Sequence, residues 1–261
     1  MRRTAAALAL LTLLCAVASA QAGAPSPAAR LIDEYGHINT SDMLARLDNF
    51  AIELQNAPGH TGYVVAYPQL NKFPAWPLRR AYWSKGYLEM DRRLEPERVV
   101  VLNGGFGDEI KYQLWIVPPG APPPVPPFDL AAALFRERTP LLYDRRINWT
   151  PVPHGAEGNY DYFERESDTH EPFVAALRAD PAARGLIIAY ARRRDRRGAD
   201  RRLAAREKLS ILKLHAIGAD RIVAKGGGLR SERTLDYWIV PPGAALPLPT
   251  PTVRPARRAR R

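Results

Sequence analysis

Five histidines, His37, His60, His154, His170 and His215, are the side chains best suited to proton transfer or metal ligation, yet they are scattered along the chain. No His-Glu-x-x-His occurs, and no closely spaced acidic cluster completes a ligand set, so no metal and no cofactor are expected. His215, among Leu212, Leu214 and Ile217, reads as a packed or rim residue. There is no Gly-x-Ser-x-Gly nucleophile elbow, and no Asp or Glu pairs suited to glycosidic acid and base work gather at strand ends. The runs Gly104-Gly105-Phe106-Gly107 and Gly226-Gly227-Gly228 match neither a Walker loop nor Gly-x-Gly-x-x-Gly before a helix. Each lies between two expected strands and reads as a hairpin turn. What remains is charge. Arg192, Arg193, Arg194, Arg196 and Arg197 form one block, and Arg254, Arg257, Arg258, Arg260 and Arg261 crowd the last eight residues. Such clusters offer salt-sensitive attraction to anionic envelope polymers or lipid headgroups, or serve only to solubilise a tail. Nucleic acid is disfavoured as a partner, because no recognition motif accompanies the charge.

The 261 residues include 38 basic and 27 acidic side chains, 25 prolines and one cysteine. That length suits one large domain or two small ones, and so many prolines must lie mostly outside helices and central strands. Met1-Arg2-Arg3, an apolar run from Ala5 to Ala18 and the small residues of Ala18-Ser19-Ala20 have the order of a cleaved export signal over 1–20. Leu14 before Cys15 argues against lipidation there. Cleavage would remove Cys15, leaving no thiol for disulfides or catalysis. It would also leave no apolar run long enough to span a membrane. The expected location is the periplasm or cell envelope.

Sliding the chain by 123 residues brings Trp115-Ile116-Val117-Pro118-Pro119-Gly120 onto Trp238-Ile239-Val240-Pro241-Pro242-Gly243. The same offset matches Phe50 with Phe173, Lys85 with Lys208, Arg98 with Arg221, and Gly104-Gly105 with Gly227-Gly228. Over 46–120 against 169–243 there are 20 identities, the pattern of a duplicated domain. Within the first copy, period and breakers predict a helix over 42–56 with Ser41 as N-cap, a strand over 63–67, a helix over 78–93, and strands over 98–102 and up to Val117. The second copy repeats this with helices over 167–179 and 199–216 and strands over 186–190, 221–224 and 235–240. Runs 32–38 and 160–163 are candidates for a leading strand in each copy. The expected fold is an α/β (α+β) sandwich of two βαβαββ-type domains, over 30–120 and 159–243. The proline-rich stretch beginning 121–158 reads as a polyproline II spacer keeping the domains apart, and 244–261 as a disordered basic tail. Trp115 and Trp238 read as core.

Arg80-Ala81, then Tyr87-Leu88, then Glu95-Pro96-Glu97-Arg98-Val99 resemble the second helix and third-strand turn of the C-terminal peptidoglycan-associated domain of outer-membrane protein A and the flagellar stator proteins. Arg202 to Arg206 and Gly218-Ala219-Asp220-Arg221-Ile222 are the second copy's counterpart. The resemblance implies a bacterial envelope protein, and a site in which an Asp after the second strand and an Arg on the second helix grip a zwitterionic amino acid of the peptidoglycan stem. In the first copy only Arg80 answers that pattern, with no acid between Tyr67 and Arg80. In the second, Asp195 and Asp200 are the candidate acids, and Arg202 and Arg206 the candidate cations, Leu203 standing opposite Arg80. The expected function is a non-enzymatic envelope protein, structural or peptidoglycan-binding. A hydrolase of the wall or a glycan, and a protein-interaction scaffold, are the alternatives.

Overall fold

A computed structural model describes residues 28–147 and 169–253. The expected signal with Cys15, His154, the 160–163 strand and the tail arginines Arg254, Arg257, Arg258, Arg260 and Arg261 lie outside the described residues. The fold is mixed α/β, with two four-stranded mixed sheets and five α-helices among the described residues.

The first unit runs β1 (Arg30–Tyr35), α1 (Thr40–Gln55), β2 (Thr61–Tyr67), α2 (Ala75–Met90), β3 (Val99–Asn103) and β4 (Lys111–Val117), in sheet order β1-β4-β2-β3. Met43, Leu47, Phe50, Ala51 and Leu54 recur at three- and four-residue spacing, so α1 has one apolar face, which is buried under the sheet with Val64, Ala66, Leu114 and Ile116. The N-cap is Asn39, two residues earlier than expected: its side chain accepts from the Asp42 amide at 2.9 Å and donates to the Asp42 carboxylate at 2.8 Å, satisfying an end of the helix.

The second unit comprises α3 (Leu130–Phe135), β5 (Leu141–Ile147), α4 (Glu171–Ala179), β6 (Arg184–Ala191), α5 (Ala199–Leu214), β7 (Ile222–Leu229) and β8 (Thr234–Val240), in sheet order β5-β8-β6-β7. Its central pairing, Gly185 opposite Ile239, falls 123 residues after Gly62 opposite Ile116. Arg98 donates to the carbonyls of Leu54, Ala57 and His60 at the end of α1, and Arg221 does the same to Leu177, Asp180 and Ala183 at the end of α4. These shared arginines cap carbonyls that a helix end leaves without partners.

Several expectations are corrected. The second sheet's leading strand is β5, inside the stretch read as connection, and the second unit therefore begins well before 159. β3 and β4 are not neighbours, since β2 lies between them, so the glycine runs are crossing connections rather than hairpin turns; Gly226–Gly228 fall inside β7 itself. Nor does the proline stretch hold the units apart. Ala75 is buried in the second unit's core, Phe106 packs on that core, and Arg79 of α2 pairs with Asp144 of β5.

The two proline-rich segments instead fold back onto their own units. Phe128 meets the α-carbon of Gly105 so closely that a β-carbon there would stand 3.2 Å from its ring, and Pro251 would be 3.2 Å from one on Gly228. Both glycines also have positive φ, 103° and 91°, which a side chain would oppose. Residues 244–253 pack on the second unit: Ala244 and Leu246 lie on Leu186, Ile188, Tyr190 and Val240, while Thr252 and Val253 donate backbone bonds to Leu229. Trp115 and Trp238 are half-buried on these outer faces rather than in the central cores.

Candidate functional site

α5 begins at Ala199, and Gly198 ahead of it adopts the left-handed conformation that turns the arginine-rich loop into the helix. Between Arg192 and Arg206 the chain has eight arginines and two aspartates. Arg193, Arg194, Arg196 and Arg197 are exposed; Arg192 is half-buried and its amide donates to Asp195 at 2.9 Å.

Ala199, Arg202, Leu203, Arg206 and Arg233 line one depression of about 440 Å³. Arg202 and Arg206 come from successive turns of one helix face, as a spacing of four requires. Arg233 comes from the β7–β8 connection. Arg202 donates through Nη1 to the carbonyl of Arg197 at 3.0 Å and through Nη2 to that of Arg196 at 3.5 Å, which draws its guanidinium toward the loop and orients it there. Both helix arginines are exposed, and among the described residues neither has a carboxylate partner.

The two candidate acids do not face a ligand. Asp195 accepts from Nε and Nη2 of Arg233 at 2.9 and 2.8 Å, and its side chain is only 5% exposed. The hydrogen bonds from Arg233 outweigh burial and hold its carboxyl down to about 2. Asp200, in the first turn of α5, accepts from the Gly228 amide at 3.1 Å and so fastens β7 to the helix. The expected Asp and Arg pair therefore does not assemble in the second unit: its acids are spent internally and its arginines remain. Arg80 is corrected likewise. It is buried on α2, donates to the Ile38 carbonyl at 2.9 Å and lies over the Trp76 ring, within the first unit's own packing.

A second constellation was not anticipated. Asp144 receives Arg79 at 3.0 Å and Arg146 at 3.3 Å, Arg146 approaches Glu207 at 3.8 Å, and Glu207 binds His170 at 2.7 Å and the Tyr237 hydroxyl. All are buried. Burial opposes the charge on Glu207, but His170, Arg146 and Tyr237 together hold its carboxyl below the ordinary range. Burial pushes the Tyr237 phenol well up, and Arg146, stacked 4.7 Å from its ring centre, acts the other way. His215, edge-on to His170 and 3.4 Å from Glu171, is kept below its ordinary value by burial. The first unit has Leu47, Ser84 and Leu114 where the second has His170, Glu207 and Tyr237, and Tyr35 at the strand position of Arg146. Sequence reading missed this set because its members are far apart in the chain and β5 was not recognised. The repeated Leu-x-Asp of Leu31-Ile32-Asp33 and Leu142-Tyr143-Asp144, at a spacing of 111, is the signal that locates it.

A depression of about 530 Å³ in the first unit has the opposite sign, lined by Glu34, Asp108 and Glu109 with Tyr67 and Lys111. Among the described residues, no group of three or more His, Cys, Asp and Glu is placed to hold a metal ion, and no helix is long and apolar enough to cross a membrane. No protein-family model matches the chain, and no curated protein matches it.

Proposed function

We propose that this is an exported, non-enzymatic cell-envelope protein built from two diverged copies of a peptidoglycan-associated type of domain. In this reading the second copy attaches to the wall through its arginine-lined depression. The observation that carries it is the pair of exposed arginines, Arg202 and Arg206, which have no carboxylate partner among the described residues and line one depression with Arg233. The signal-like N-terminus and the shared offset of 123 residues support export and duplication. The first copy serves as a platform, since its corresponding helix face is buried against the second. The basic loop adds non-specific attraction to anionic polymers, which screening weakens.

Co-sedimentation of the full chain with intact peptidoglycan sacculi tests this at physiological and several-fold higher salt. Pelleting that resists salt and is lost in Arg202→Ala/Arg206→Ala supports attachment through α5. Pelleting that disappears with salt, or that the double variant retains, refutes it.

A further inference from the structure

The helix face that bears Arg202 has a counterpart whose use is visible within the same chain. Arg79 stands 123 residues before Arg202, near the start of α2 as Arg202 is near the start of α5. Arg79 holds the carboxylate of Asp144, with contacts at 3.0 and 3.2 Å, and the two side chains are 8% and 2% exposed. On this scaffold, then, an arginine at that helix position grips a carboxylate presented by a peptide strand docked against it. In the second unit no described residue covers the same face, and Arg206 stands one turn further along it, where the first unit has Trp83.

Resting on the wall-binding reading of the second unit, we infer that the depression between α5 and the β7–β8 connection is a carboxylate site for an acidic peptide segment. Guanidinium forks match a carboxylate's two oxygens in plane and in spacing. Asp195 is committed to Arg233 and Asp200 to the Gly228 amide, and among the described residues no acid lines the depression to receive an ammonium group. The ligand is therefore an anion and not a zwitterion. This separates the site from one built on an Asp and Arg pair. Arg233 is held in place by Asp195, which fixes one wall of the depression before any ligand arrives and reduces the ordering that binding requires.

The test uses the full chain and a hexaglutamate peptide blocked at both ends, titrated calorimetrically at physiological salt. Its comparators are the hexaglutamine analogue, hexagalacturonate and hexaphosphate. The expected result is that hexaglutamate binds and hexaglutamine does not. Arg202→Gln/Arg206→Gln weakens hexaglutamate by about tenfold or more, the scale of a lost charge-assisted bond, with an unchanged melting curve. Arg202→Lys/Arg206→Lys, which keeps charge but loses the fork, restores affinity only in part. Equal binding by the lysine variant, or hexaphosphate or hexagalacturonate binding as tightly as hexaglutamate, overturns the inference in favour of general polyanion attraction. If the glutamine variant loses sacculus pelleting while hexaglutamate fails to bind wild type, the peptide-carboxylate inference falls and the envelope reading stands. If pelleting is unaffected, the envelope reading fails as well.

Discussion

Asp195 and Asp144 are both carboxylates held by arginines, but they do different work. Asp195 joins the arginine loop to the β7–β8 connection, receiving the Arg192 amide and the Arg233 fork. Its depressed carboxyl means that the folded chain prefers the charged form more than the unfolded chain does. The resulting stability is present above the ordinary aspartate range and is lost as pH falls from about 4 to about 2. Asp195→Asn should therefore destabilise the second unit by about 2 kcal/mol at neutral pH, from the size of that shift. Urea titrations at pH 7 and below pH 3 check this, with the difference between variant and wild type shrinking in acid. The same variant releases Arg233 and should weaken hexaglutamate binding. An effect on stability that persists unchanged below pH 3 would show that packing, and not charge, is what Asp195 supplies.

The proline-rich segments are working elements of each unit. Residues 241–253 follow β8 back across the outer face, where Thr250 receives a bond from Arg230 at 2.9 Å and its amide donates to the Tyr190 hydroxyl at 3.0 Å. A chain ended at residue 243 should lose the cover over Leu186, Ile188 and Tyr190 and melt several degrees lower than one ended at residue 253, as expected for losing a few kcal/mol of apolar burial. Differential scanning calorimetry on the two truncations measures this directly; equal melting would make the segment an ornament. These elements also show what was legible. α1, α2, α5 and β2 to β4 follow from apolar period and from the shared offset, because local spacing encodes them. β5 was hidden because the offset changes from 123 to 111 ahead of α4, through a longer connection in the second unit. The fold-back of the prolines was hidden because composition reports that a segment lacks helix, not what it packs against. At the site, Arg202 and Arg206 were legible from the resemblance, whereas Arg233 and the commitment of Asp195 depend on a contact 38 residues apart.

Across the whole molecule, the units are joined by buried charge as well as by apolar packing. Asp144 is the hinge of that arrangement, since it receives Arg79 from the first unit and Arg146 from the second's interior. Removing it takes away the carboxylate that two buried guanidinium groups share, and breaking a buried pair from one side costs about 3–5 kcal/mol. Glu207 and His215 add to the acid sensitivity of this region. Each has a folded value below its ordinary one, so the stability each supplies is present above that value and lost as pH falls. Wild type should unfold in one transition at neutral pH, because Ala75, Phe106 and Arg79 commit the first unit to the second. Asp144→Ala should split that transition in two, the second unit melting first. Replacing both partners, Arg79→Met with Asp144→Leu, removes the two charges together and should recover much of the loss, while Arg146 keeps its approach to Glu207. Calorimetry of wild type, Arg79→Met, Asp144→Leu and the pair closes a double-mutant cycle. A coupling near zero, or a single unshifted transition in Asp144→Ala, would mean that the units are held by their apolar contacts and that the buried pair contributes only the choice of docking register.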